Sequence, residues 1–420
     1  MNEVVVTGLG VIMGEVVSPL SLFNTLKSGQ SQIRIHPEFN ALGFTNPAMC
    51  YLDQNQRQWL QQQVGKDVHG LHSQMALYAA TQAWQQASPG KITARGGVMV
   101  ASNKQSFDEQ HLAGIAAHYD TTLDQFDLDS YLLQPTTTNH SLFNFHQDLP
   151  SQLLAGRYGL QAIPLTHGDA CAAGSMAIGS AFRRIRAGEA DLILVGASEC
   201  MAGFSPLVAF SAVGALSVAE NFQGAAISRP FDEEREGFIM GEGAAFLVLE
   251  SAQHAARRKA APLARIRGFA AQLEACRITA SNEDGSEYAR CMQACLDDAG
   301  LTIDAVDHIN AHGTSTQMND AVEARAIQTL FGSRSKHIPV TANKSALGHS
   351  LATSGAVEAL LSILTLQQQC LLPTLNFRQG DAVTSTLNIV TTARPYSCRH
   401  ILSNSFGFGG ENCSLLLEAV

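Results

Sequence analysis

The sequence has no run of lysine or arginine long enough to follow a phosphate backbone. With 37 acidic against 27 basic side chains and a formal charge of −10, it does not read as a general nucleic-acid binder. No cysteine pair is spaced C-x-x-C and no Cys/His cluster has zinc spacing, so no metal site is expected. Cys291 and Cys295 lie one helical turn apart without a matching ligand pair, a pattern of core packing. Long apolar runs are missing as well. The stretch "ADLILVGA" (190–197) has the length of a strand and falls far short of the roughly twenty residues of a membrane helix. The start, "MNEVVVTGLG", lacks the basic opening and apolar stretch of a signal peptide and reads as a strand entering a glycine turn. The nine cysteines are odd in number and scattered, which fits free thiols in a reducing compartment. A cytoplasmic protein with no membrane span is expected. Charge is scarce too, at 15 % of residues, so much surface should be buried, a subunit interface included.

The 420 residues exceed what one hydrophobic core ordinarily serves, so two cores are expected. Apolar runs ending in small residues recur at 4–6, 97–101, 192–196, 245–249, 308–311, 337–341 and 414–418, as in strands covered on both faces. Helical patterns lie between them at 72–87, 176–187, 287–298, 321–330 and 355–368. The alternation predicts an α/β architecture with layered sheets. A basic, alanine-rich stretch at 251–267 marks a junction and divides the chain into halves 1–252 and 253–420. Residues 103–150 are polar, aromatic-rich and aperiodic, as expected of a lid, a pocket wall or an interface loop.

Four segments join reactive side chains to turns at strand ends, where α/β proteins place functional groups. In "HGDACAAGSMAIGSA" Cys171 leads into a run of small residues spaced like a tightly packed helix. "NAHGTSTQMND" presents His312 before a Gly-Thr turn. "ANKSALGHSLATSGA" holds Lys344 and His349 five apart, and "SNSFGFGGENCS" sets Phe408 among Gly407, Gly409 and Gly410. Each alone has a plainer reading as a buried thiol, a loop histidine or a tight turn. Together they suit one chemistry. A thiol at a helix N-terminus gains thiolate character from the dipole, and the free N–H groups there can hold an oxyanion. Two histidines can steady an enolate oxygen, with a lysine fixing local charge. Acyl transfer to sulfur followed by carbon–carbon bond formation would use every part.

These residues resemble the elongating β-ketoacyl–acyl carrier protein synthases, type II condensing enzymes of the thiolase fold. The likeness runs nearly the whole length and is strongest at "VVVTGLG", "DACAAGS", "SRPFDEEREGFIMGEGAAFLVLE", "NAHGTSTQMNDAVEA", "NKSALGHSLATSGAVE" and "SNSFGFGGEN". It implies a five-layered αβαβα fold of two pseudo-symmetric halves. By position it implies Cys171 as the nucleophile, His312 and His349 as the decarboxylation pair, and Lys344 as an ordering lysine with Glu323 as its carboxylate partner. The backbone N–H groups of Cys171 and Phe408 would form the oxyanion hole, with Phe408 also the gate. Thr314 and Thr316 would bind the pantetheine arm, Phe210 would wall the acyl pocket, and Gly409 would belong to the substrate-binding loop. No cofactor is implied, since substrates ride on the phosphopantetheine of an acyl carrier protein. That carrier is the implied partner, together with a second copy or a ketosynthase paralogue. Carrier proteins are acidic, so Arg183, Arg184 and Arg186, or 257–259, are candidate docking residues.

The sequence departs from the family at three places. "ASNKQSFDE" stands where a glycine-rich turn is usual at the acyl-pocket floor, Gly214 where an arginine is common, and Glu411 where a threonine follows GFGG. The departures favour a type II polyketide, polyene or specialised fatty-acid pathway over housekeeping elongation. A chain-length-factor-like partner subunit is the alternative from another class. Such subunits typically lose the cysteine that this chain keeps. A thiolase is less well matched, because it uses a second catalytic cysteine.

Overall fold

The computed structural model describes residues 2–68, 70–89, 95–103, 109–133, 146–160, 163–218, 220–277 and 280–420. Eleven strands form its main sheet. In chain order they are β1 Val4–Met13, β2 Gly96–Ala101, β3 Ile163–His167, β4 Leu192–Glu199, β5 Gly243–Ser251, β6 Ala264–Leu273, β7 His308–Asn310, β8 Pro339–Thr341, β9 Asn388–Ile389, β10 His400–Phe406 and β11 Glu411–Glu418. The spatial order is β9-β8-β7-β10-β11-β6-β1-β5-β4-β2-β3. Within it the run β3-β2-β4-β5-β1 repeats as β8-β7-β10-β11-β6, with the same pattern of parallel and antiparallel pairs. The two units meet where β1 pairs antiparallel with β6, from Val4–Ile266 to Val6–Ala264.

Five principal helices complete the layers: α1 Leu71–Ala87, α2 Ala173–Arg186, α3 Ser286–Ala299, α4 Gln317–Phe331 and α5 Ala352–Gln368. α1 covers the outer face of the first unit, and α3 with α4 covers that of the second. Between the units lie α2 and α5, each touching strands of both. A helix covered on every side must be apolar all round, and α5 is buried continuously from Ala352 to Leu366. The order of layers is therefore helix, sheet, helix, sheet, helix.

Small residues set the closest approaches. A Cβ on Gly174 would stand 2.4 Å from the Ala352 carbonyl oxygen, and one on Gly355 2.4 Å from Ser175 Oγ. The run after Cys171 is thus the seam along which α2 and α5 cross. The "VVVTGLG" segment corrects the glycine turn expected there. The strand continues to Met13, with a register shift between Val6 and Gly8, and its glycines serve packing instead. A Cβ on Gly8 or Gly10 would lie about 2 Å from carbonyl oxygens of α1 (2.0 Å and 1.9 Å).

Candidate active site

Each unit supplies its chemistry at the same topological point, where its third strand turns into its central helix. In the first unit β3 leads to a 3-10 turn, Ala170–Ala172, and then α2, so Cys171 sits at the helix entrance. Ala170 takes a left-handed φ of +44° to present it. In the second unit β8 leads through Lys344–Leu347 and His349 to α5, and Leu351 also has a φ of +44°. Non-glycine residues held in this region are strained, a feature that concentrates at functional sites.

The groups converge. Cys171, His312, His349, Thr314, Thr316 and Phe408 all line one cavity of about 330 Å³. The two imidazoles stand edge to face, with centroids 5.3 Å apart. The Phe408 backbone N–H is close enough to the Cys171 sulfur to favour its thiolate, and a Cβ on Gly407 would lie 3.3 Å from the Cys171 nitrogen. The glycine there lets the loop lie against Cys171. Gly409 is exposed with open space around it, and its φ of +84° is what a side chain would resist. Burial pushes the Cys171 thiol up to about 11, against the pull of the Phe408 N–H and Lys344. The thiolate character expected from the helix dipole is therefore outweighed by desolvation in the resting site.

Lys344 fixes one histidine. Its ammonium donates to the His312 carbonyl oxygen at 2.6 Å, to Glu358 Oε1 at 2.5 Å and to His312 Nδ1 at 3.2 Å, which uses all three protons. With Nδ1 accepting, the proton of the neutral ring is on Nε2. The second ring reaches the same state by another route. Ser354 Oγ accepts the Ser350 N–H at 3.0 Å and lies 3.2 Å from Ser350 Oγ and 2.9 Å from His349 Nδ1; with the Ser350 hydroxyl as donor to Ser354, the Ser354 hydroxyl donates to His349 Nδ1. Burial and the Lys344 charge hold both histidines well below their usual pKa. Two neutral imidazoles whose Nδ1 atoms accept in this way each carry their proton on Nε2.

The expected Glu323–Lys344 pair is not what the structure has. Glu358, one turn and a half into α5, takes that place. Glu323 accepts the N–H groups of His312 and Gly313, both at 2.9 Å, and Asn404 Nδ2 at 3.3 Å. It braces the turn that carries His312, and burial raises it to about 7 while those N–H groups pull against it. The signal for Glu358 was in the sequence, since one carboxylate in the apolar run "AVEALLSILTL" needs a buried cation. Ser354 was missed as well. Thr314 and Thr316 share a 2.9 Å hydrogen bond across Ser315, whose φ is +69°. Phe210 packs edge-on to Phe238 at 5.6 Å, and Phe238 in turn to His349 at 5.2 Å.

None of the candidate docking arginines lines this cavity. Arg183 and Arg186 both bind Asp298 at 2.8 Å, tying α2 to α3, and Arg184 binds Glu189 at 2.9 Å. Arg258 closes on buried Glu250, leaving Arg257 and Lys259 exposed. Gly214 lies at the cavity rim. Of the aperiodic 103–150 stretch, 104–108 and 134–145, most of the divergent "ASNKQSFDE" turn included, lie outside the described residues. Among the described residues no cluster suits a metal ion, and no helix is long and apolar enough to cross a membrane.

Residues 1–255 match the family described as "Beta-ketoacyl synthase, N-terminal domain", and 263–378 match its "C-terminal domain". The chain belongs to the β-ketoacyl synthase family. It is 31% identical over 424 residues to "3-oxoacyl-[acyl-carrier-protein] synthase 2" of Coxiella burnetii, covering 100% of this chain and 99% of that one. To the protein of the same description from Rhizobium meliloti (strain 1021) it is 43% identical over 249 residues, a match spanning 59% of either chain. Among solved structures it resembles a type II polyketide ketosynthase in complex with its acyl-carrier protein and bound to a hexaketide. There the TM-score is 0.87 and the identity 30%, over 100% of this chain and 99% of that one. These ketosynthases have the thiolase fold, and the five layers of this chain are that fold.

Proposed function

We propose that this ketosynthase is an elongating β-ketoacyl–acyl carrier protein synthase acting in a type II polyketide, polyene or specialised fatty-acid pathway. The observation that carries the reading is the meeting of one thiol and two Nε2–H imidazoles in a single cavity beside a glycine-rich loop. In the first half-reaction Cys171 Sγ attacks the acyl thioester carbonyl. The carbonyl oxygen gains charge beside the N–H groups of Cys171 and Phe408, the pantetheine sulfur leaves with the thiol proton, and the acyl group remains on Cys171. In the second, the carboxylate of a malonyl thioester leaves as CO2. Its bonding pair becomes an enolate whose oxygen accepts hydrogen bonds from His312 and His349. The enolate carbon then attacks the acyl carbonyl, a carbon–carbon bond forms, and the carbon–sulfur bond to Cys171 breaks.

Such donors act through preorganisation, being in place before charge develops. Phe408 packs beside Cys171, Phe210 and Phe238, which suits a gate between the acyl pocket and the malonyl side. Gly214 and Glu411, with their polyketide-type neighbour in structure space, support a specialised pathway. The partners are an acyl carrier protein and a second ketosynthase subunit, identical or paralogous, and the halves divide at 252/253. The test is mass spectrometry with acyl- and malonyl–carrier protein. The wild-type chain should carry the acyl group on Cys171 and release a 3-oxoacyl product. Cys171→Ala should lose both, and a Cys171→Ala protein that still condenses would overturn the assignment.

A further inference from the structure

The same cavity has a second polar station that the condensation chemistry does not use. Tyr288 of α3 is buried, and its ring lies flat on Phe406, with centroids 3.6 Å apart and planes at 16°. Its hydroxyl shares a 2.9 Å hydrogen bond with Ser281 Oγ and donates to Asn319 Oδ1 at 3.4 Å. Asn319 is oriented from behind, because its Nδ2 donates to buried Asp320 at 3.1 Å. The Asn319 carbonyl oxygen is thereby turned toward Tyr288. Ser281, Tyr288 and Asn319 all line the cavity that holds Cys171.

The first station is the Thr314–Thr316 hydroxyl pair. The two are mechanically joined, since Thr316 Oγ1 accepts the Asn319 N–H at 3.3 Å at the start of α4. Between them they offer hydroxyls, which donate or accept, and a fixed amide carbonyl, which only accepts. A fold that needed only to fill this wall would do so with apolar atoms. A buried hydroxyl has to be partnered, and here its partners also face the cavity. A pantetheine arm is linear and carries two amides, each with one N–H and one C=O.

The geometry points to Ser281, Tyr288 and Asn319 as a second amide-reading station for the pantetheine arm, with Tyr288 its central positioning residue. The inference rests on the condensing function proposed above and adds which part of the substrate this wall recognises. Tyr288 accepts or donates one hydrogen bond to an arm amide, Asn319 Oδ1 receives an amide N–H, and the Thr314–Thr316 pair serves the other amide. The reacting thioester is thereby set at a fixed depth above Cys171.

Tyr288→Phe keeps the ring stack on Phe406 and removes only the hydroxyl. Steady-state condensation is measured with malonyl thioesters of pantetheine and of an ethylene-glycol thiol of equal length, which has no amide N–H. Loss of one hydrogen bond should raise KM for the pantetheine substrate about three- to tenfold and change kcat less than twofold. The glycol substrate should be unaffected within twofold. Asn319→Ala should behave in the same way. Equal changes on both arms, no change on either, or a fall confined to kcat would overturn the station. Binding of pantetheine itself to the wild-type and Tyr288→Phe proteins separates the two readings. A wild-type chain that binds pantetheine through Tyr288 and forms no 3-oxoacyl product rejects the condensing function alone. One that condenses with no dependence on Tyr288 rejects the station alone.

Discussion

The two units place different chemistry at equivalent points of the same strand order. Cys171 at the entrance to α2 is packed among Met201, Phe210, Phe238 and Leu351, and it faces few polar partners. His349 at the entrance to α5 belongs with His312 to a buried network of Lys344, Glu358, Glu323, Ser354 and Asn404. In the proposed reaction Cys171 holds an acyl chain, which apolar surroundings serve, and they also raise its thiol pKa at rest. Groups that must meet developing negative charge are served by donors whose protons are fixed in advance. The repeated strand order thus carries one dry terminus and one wired terminus, and both line the same cavity.

Cutting the wiring should have the largest effect. Lys344→Ala frees His312 Nδ1 and leaves Glu358 buried without its cation. Decarboxylation of malonyl–carrier protein should fall by about 10²–10³, the scale of losing one preorganised donor. Stability should drop by roughly 3–5 kcal/mol, as when one member of a buried ion pair is removed. The double variant Lys344→Met/Glu358→Leu replaces the pair with apolar volume and should regain stability while decarboxylation stays low. If activity returned with stability, the network would be only packing, and the contrast between the termini would fail.

The second effect is one of pH. In the folded chain both histidines are held below 6.5 by burial and Lys344, whereas in the unfolded chain they take up protons near 6.5. Below that pH the unfolded state binds more protons, so stability must fall as pH falls. Between pH 6.5 and 5 the two groups together should cost up to about 4 kcal/mol, at 1.36 kcal/mol per pH unit each. Urea unfolding of wild-type and His312→Asn/His349→Asn proteins across that range isolates their share. Decarboxylation should show no inflection near pH 6.5, because the rings stay neutral through it.

The sequence displays the central layer well, and of the second unit's strands it shows β7, β8 and β11 but not β6, β9 or β10. α5 is apolar on every side and α2 is small along one seam, so periodicity and residue size marked both. By sequence the start of β6 falls in the basic junction at 251–267, because Arg265 and Arg267 interrupt it. They alternate with buried Ala264, Ile266 and Gly268, which is the pattern of a half-covered strand. β10, "HILSNSF", is fully buried yet polar, because its Ser403, Ser405 and Asn404 bond to Asn310, Ser175 and Ser414. Hydropathy cannot find a strand whose side chains are satisfied by one another. The same limit hides Ser354. The resemblance gives Glu323 as the partner of Lys344, whereas the lone carboxylate in the apolar run at 356–366 already asks for a buried cation; in the structure Glu323 braces the His312 turn and Glu358 is the counter-ion.

The smallest expected effect concerns the loop at the dry terminus. Gly407 is needed for space against Cys171, whereas Gly409 is needed only for its backbone angle, because nothing lies within 4 Å of where its Cβ would be. Gly409→Ala therefore meets no clash and bears only the strain of a left-handed alanine, about 1 kcal/mol. That strain falls on the residue next to Phe408, whose N–H lowers the pKa of Cys171 against burial. If the loop must move for the malonyl unit to enter, the substitution should slow turnover several-fold while leaving acylation of Cys171 by a short acyl donor within twofold. Stopped-flow acylation and steady-state condensation, measured on the same protein, separate these steps. Equal slowing of both would mean that the loop serves the oxyanion alone. The dry terminus would then be as rigid as the wired one, and the difference between the two would lie only in their polarity.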